Sequence, residues 1–199
     1  MTQGLWTIIK RSACLIPPIL TNMTVTEFAT LQLNTSITSE GPLPSLFTRL
    51  QSSQSSWSHY PVLLYSDVSA QPTAPAIHLI SGWESVEAHQ KWIESAENQE
   101  LLRLLGPYMN ITGFSHLTLN FEEFQRGREC ADDPEGLLVV NKDGQLNERL
   151  GEPLWTGQGN DLEDDSRPLF RLAFYKGEKE LEFEGNGRNF GMKFIEKFQ

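Results

Sequence analysis

Basic residues are scarce in this chain. Sixteen Lys and Arg stand against 26 Asp and Glu over 199 residues, a formal net charge of −10. Binding to a nucleic-acid backbone or to an anionic membrane surface draws its affinity from clustered Lys and Arg, so neither is expected as the main partner. No apolar run approaches the roughly 20 residues that a membrane-spanning helix needs. Cysteine is nearly absent: Cys14 and Cys130 lie far apart, which gives no disulfide framework and suits a reducing, cytoplasmic compartment. The sequence also lacks HExxH, CxxC and GxSxG, and Gly185–Gly191 does not fit GxGxxG. A motif-built metal centre, a hydrolase nucleophile elbow and a dinucleotide fold therefore find no support, and no metal or cofactor is expected.

What charge there is falls unevenly. Residues 1–120 hold five bases and eight acids, and residues 121–199 hold 11 and 18. Residues 1–22 place Lys10-Arg11 in the middle of their apolar groups with Pro17-Pro18 behind. That order does not suit a secretory signal, so they read as an N-terminal extension. The Asn-x-Ser/Thr triplets at Asn22, Asn34 and Asn110 matter only in a secreted chain.

From residue 23 the periodicity alternates between strand and helix. Met23–Asn34, Pro61–Asp67, Ala76–Trp83 and Ile111–Asn120 read as strands. Helical spacing follows Pro42-Leu43-Pro44, and again Ser85, which can cap a helix carrying Val86, His89, Trp92 and Ile93 on one stripe. A Leu-rich group at Leu101–Leu105 then runs to the stop at Gly106-Pro107. The order β-α-β-β-α-β predicts an α+β, ferredoxin-like domain over 23–120, with two helices on one face of a four-stranded sheet. The opposite face is also apolar and needs a cover, which a homodimer pairing sheet to sheet would supply as a dimeric α/β barrel. Residues 121–199 read as a charged, β-rich C-terminal extension: strands at Leu137–Val140 and Leu169–Tyr175, a hairpin partner at Glu180–Phe183, a segment Phe190–Phe198, and an acidic loop at Gly157–Pro168.

The segment SGWESVEAHQKWIESAENQELLRLLGPYM, Ser81–Met109, carries Trp83 at a strand end, the acidic cap Glu84-Ser85, the pair Ala88-His89, a Ser/Asn/Gln-rich break and a Leu-rich turn. In these features it resembles the antibiotic biosynthesis monooxygenase-like group of dimeric α/β-barrel proteins, especially its fungal members. The resemblance covers about half the chain. It implies a dimeric barrel, and a group whose activities include cofactor-free oxygenation of phenols and anthrones, polyketide cyclisation and haem degradation. No catalytic set of that group matches here residue by residue.

The residues themselves offer candidates for proton transfer. Strand alternation sets His78 with Ile80 and Gly82, and His116 with Phe114. If those faces turn away from the helices, both imidazoles enter the barrel interior as catalytic bases near neutral pH. Tyr65 and Tyr108 are candidates to orient a ligand oxygen, and His89 to cap the pocket. Glu27 sits in the apolar phase of the first strand, either at a frayed edge or as a buried acid. Phe28, Trp83 and Phe114 are candidates to line a flat apolar pocket for a hydrophobic, aromatic or polyketide-like substrate. The expectation is a cofactor-independent enzyme of monooxygenase, cyclase or decarboxylase type. The alternatives are a non-catalytic binding or interaction module, whose interior would be plugged by bulky side chains, and a haem-binding protein.

Overall fold

The computed structural model describes residues 23–38, 40–68, 75–131, 136–146, 150–177 and 189–195. The N-terminal extension, residues 1–22, and the hairpin strand expected at 180–183 lie outside them. The first elements follow the sequence reading, except that the second of its two expected helices is broken at Glu94-Ser95 into α2 and α3: β1 Val25–Leu33, α1 Leu43–Ser58, β2 Leu63–Asp67, β3 Ala76–Trp83, α2 Val86–Ile93, α3 Ala96–Leu105 and β4 Met109–Leu117. Pro in the first turn starts α1. Ser85 and Ser95 cap α2 and α3, their hydroxyls accepting from the Ala88 and Asn98 amides. After these come α4 Phe121–Ala131, β5 Leu137–Lys142, β6 Trp155–Asn160, β7 Leu169–Tyr175 and β8 Asn189–Phe194.

All eight strands join one antiparallel sheet in the order β4-β1-β3-β2-β8-β5-β7-β6. Its first four strands have the ferredoxin-like order expected for 23–120. The second four repeat that order, with β5, β6, β7 and β8 in the places of β1, β2, β3 and β4. The halves join at β2–β8, where Tyr65 pairs with Phe194. At the far side the edge strands also meet: Leu117 and Asp161 form a bridge, the Thr118 amide donates to Asn160 O at 2.9 Å, and the Leu162 amide donates to His116 O at 2.8 Å. The sheet thus comes round on itself within one chain.

Two main cores result. On the outer face of the first half, Ala29, Leu31, Leu79 and Trp83 pack against Phe47, Trp92, Leu101 and Leu105 of the helices. On the inner face, Phe28, Tyr65, Ile80 and Leu117 pack against Leu138, Val140, Phe170, Leu172 and Phe174. The cover that the sequence reading assigned to a second copy is therefore supplied by residues 121–199 of the same chain. Helix α4, which that reading left as a charged stretch, sends Phe121 and Phe124 into the inner core. It lies so close to β3 that a Cβ on Gly82 would strike the Phe121 ring, with the Tyr60 ring 2.8 Å away. The acidic loop expected at Gly157–Pro168 is in part strand β6, whose Gly159 lies against the Leu119 backbone where a side chain has no room. Cys130 on α4 is disulfide-bonded, so the cysteines no longer argue for a reducing compartment. Among the described residues, no helix is long and apolar enough to cross a membrane.

Candidate active site

The nine candidate residues do not converge on one place. Phe28, Tyr65 and His78 share the inner face. His78 is fully buried, stacks on Phe28 with ring centroids 5.6 Å apart, and has Thr30 Oγ1 3.2 Å from its Nδ1. Burial pushes its pKa down to about 4, with Asp67 pulling weakly the other way. Burial likewise pushes the Tyr65 phenol well up, against the pull of Arg128. An open pocket of about 910 Å³ reaches His78 from one mouth of the ring, edged by Asp67, Asp161, Glu163, Asp164, Asp165 and Lys142. Phe28, Thr30 and Phe170 line it together with His78, and below it Ile80, Leu138 and Leu172 fill the interior.

Glu27, Trp83, His89, Phe114 and His116 gather instead on the outer face, beneath the helices. The expected pairing of His78 with His116 fails because of one extra residue. Leu31 pairs with Ile111 but Thr30 pairs with Gly113, so β4 bulges at Thr112 and its alternation changes phase there. Phe114 and His116 are carried to the helix side, opposite Ala29 and Glu27. Tyr108 packs at the edge of the outer core and touches neither pocket.

The outer group is a continuous polar chain in an apolar setting. Glu27 is buried, and its Oε2 accepts from Gln54 Nε2 at 2.7 Å, Ser81 Oγ at 2.7 Å and Trp83 Nε1 at 2.9 Å. This rules out the frayed-edge reading of Glu27. His89 stacks on Trp83 at 4.3 Å and sets its Nε2 3.7 Å from Glu27 Oε2. Its Nδ1 is hydrogen-bonded to His116 Nε2 at 2.7 Å, and His116 Nδ1 is hydrogen-bonded to Glu163 Oε1. Burial lowers the His89 pKa, and the neighbouring His116 lowers it further, while Glu27 and Glu163 oppose the shift.

Glu163 was missed by the sequence reading because nothing local marks it among its acidic neighbours. It is placed by long-range contacts: its amide donates to Asp161 Oδ1 at 3.0 Å, and Asp161 Oδ2 accepts from Ser115 Oγ of β4 at 2.7 Å.

Beside this chain lies a cavity of about 240 Å³ between the sheet and the three helices. Leu31, Leu50, Leu79, Trp92, Leu101, Leu105 and Phe114 are among its walls, Glu27, Gln54 and His89 are its polar end, and half-exposed Ile111 stands at its rim. It is smaller than the roughly 300–1,000 Å³ of ordinary ligand sites, so it suits a small, mostly apolar molecule. A haem does not fit. A flat macrocycle is too large for a cavity of this volume. Among the described residues, no three His, Cys, Asp or Glu side chains are grouped to hold a metal ion.

The whole arrangement can be set beside solved structures. A Fusobacterium nucleatum protein provisionally named a monooxygenase superposes over 87% of this chain and 93% of its own, at a TM-score of 0.53 and 5% identity. A mutant chlorite dismutase from Candidatus Nitrospira defluvii, solved with cyanide, covers 87% and 91%, at 0.52 and 11%. A second mutant of that enzyme covers 87% and 92%, at 0.50 and 13%. At such identities the likeness is one of fold, and it extends over both halves of the chain. No protein-family model matches the sequence, and no curated protein matches it.

Proposed function

We propose that this protein is an enzyme that binds a small hydrophobic molecule in the cavity between sheet and helices and removes a proton from it with the His89–His116 pair. One observation carries the reading: a largely apolar cavity has, beside Glu27 and Gln54, a buried imidazole backed by a second imidazole, with a carboxyl group at each end of the pair. A buried histidine with a lowered pKa is unprotonated at neutral pH and thus available as a base. Trp83 holds the His89 ring flat against its own, and Phe114 closes the other side. A phenol, or a carbon acid next to a carbonyl, would lose its proton to this pair, and the resulting enolate or phenolate is the common entry to oxygenation, ring closure and decarboxylation. Solved proteins of this fold that bear the monooxygenase and chlorite dismutase names fit with an enzyme. The site is composite, because Glu163 comes from residues 121–199 and the remainder from 23–120. All its parts belong to one chain, so a second copy is not needed to complete it.

The test is deuterium wash-in. A panel of small β-diketones and phenolic ketones is incubated with the protein in heavy water, and exchange at the acidic carbon is followed by mass. Exchange well above buffer, abolished in His89→Gln and retained in His78→Gln, is the expected result. Equal exchange in wild type and His89→Gln would refute the base assignment, and binding without any exchange would favour a non-catalytic carrier.

A further inference from the structure

The chain Glu27–His89–His116–Glu163 has a carboxyl group at each end and three links, but two neutral imidazoles bring only two N–H donors. Only two links can be filled while the pair is neutral, and the spacing shows which. The His89–His116 contact is 2.7 Å and His116 touches Glu163 closely, whereas His89 Nε2 stands 3.7 Å from Glu27 Oε2, beyond hydrogen-bond reach. Glu27 Oε2 already accepts from Gln54, Ser81 and Trp83, so the Glu27 carboxyl is well supplied with donors other than His89. Glu163 is partly exposed.

We propose that Glu163 is the positioning residue that fixes the tautomers of both histidines, and thereby makes His89 Nε2 the basic atom of the cavity. The Glu163 carboxylate accepts a hydrogen bond from His116 Nδ1–H. His116 Nε2 is then an acceptor, and receives the His89 Nδ1–H. That leaves His89 Nε2 with its lone pair turned to the polar end of the cavity, beside Glu27. The polarity of the whole chain is set at its outer end, by a residue on the segment that seals β4 to β6. Uptake of one proton at His89 Nε2 fills the third link, since the imidazolium then donates to both neighbours and its positive charge lies between two carboxylates. The titratable groups acting on His89 are Glu27, His116 and Glu163, with buried Asp161 holding the Glu163 amide and Ser115 beside them; α1 and β3 present Gln54, Ser81 and Trp83, and β4 presents Phe114.

The inference rests on the proposed function only for its catalytic meaning, because tautomers are read without any substrate. Long-range proton–nitrogen correlation spectra of the full chain, with isotope-labelled imidazoles, report which nitrogen of each ring bears hydrogen; ring contacts to Trp83 and Phe114 assign His89 and His116. At neutral pH both should carry the proton on Nδ1, the less common form in free histidine. A proton on His89 Nε2, alone or together with one on Nδ1, would overturn the assignment. In Glu163→Leu, Glu27 becomes the only carboxylate acceptor and the His89 tautomer ratio should shift toward Nε2–H by roughly tenfold or more. An unchanged ratio would remove Glu163 from the role. Asp164→Asn, on the same segment, should leave the ratio alone; a reversal there as large as in Glu163→Leu would mean that loop structure and not the carboxylate sets the tautomer, and would also overturn the proposal. Failure of deuterium wash-in with the expected tautomers intact counts against the enzyme reading alone.

Discussion

The two halves of the sheet share a strand order and differ in what clothes them. In the first, three helices lie over the outer face and leave a small apolar cavity at the Glu27–His89 wall. In the second, among the described residues, no α-helix separates β5 from β6 or β7 from β8, and the strands contribute Leu138, Val140, Leu172 and Phe174 to the shared inner core. One half builds a site and the other finishes it. The second half covers the inner face, sends α4 against one end of the interior, and delivers Glu163 to the edge of β4. A helical layer thus bounds the smaller cavity, and sheet continuity holds the polar chain in place.

This division can be broken most severely at the shared core. Phe124 is fully buried against Phe121, Trp155 and Phe174, and Phe124→Ala should cost about 3–5 kcal/mol. Denaturant unfolding followed by tryptophan fluorescence and by far-ultraviolet circular dichroism should still give one coincident transition. Two separated transitions would show that the halves are independent domains.

The next effect is one of pH and belongs to the inner face. His78 titrates at about 4 when folded and 6.5 when free, so the unfolded chain binds the extra proton between those values. Stability is therefore full above about pH 6.5 and lost as pH falls toward 4, on the order of 3 kcal/mol in all. Unfolding titrations should show this slope flattened in His78→Gln; a slope that persists would locate its source elsewhere.

On the outer face, Glu27→Leu strands the buried donors of Trp83, Ser81 and Gln54. A loss of about 1–3 kcal/mol is expected, with near-ultraviolet circular dichroism reporting a changed Trp83 environment. The smallest effect should follow Ser95→Ala, which removes the α3 cap for about 1 kcal/mol. Its signature is faster amide exchange in the first turn of α3, with β5 and β7 unaffected.

Much of the first half was legible because its signals are local. β3 has the expected bounds to the residue, and the Ser85 hydroxyl caps α2 as expected, whereas the Ser95 cap that starts α3 was not read. Helix α4 was equally marked, by Asn120 ahead of Glu122-Glu123; the Asn120 Oδ1 accepts from both glutamate amides. Strand β6 was hidden because Gly157 and Gly159 read as loop, whereas they are small so that Trp155 and Leu119 can lie across them. His78 lies on the inner face expected for it, whereas His116 lies on the outer one. Every candidate but Tyr108 joins one of the two clusters, yet alternation cannot reveal the bulge at Thr112, and one inserted residue moves His116 through the sheet. Glu163 depends on Ser115 and Asp161 meeting across the closing seam, a contact with no trace in the local sequence.

The junction of β2 with β8 sets an order of events during biosynthesis. Tyr65 emerges from the ribosome well before Phe194, so the nascent first half carries an unpaired strand edge until β8 has been made. The interval before the sheet is completed is when a newly made chain is most exposed to wrong partners.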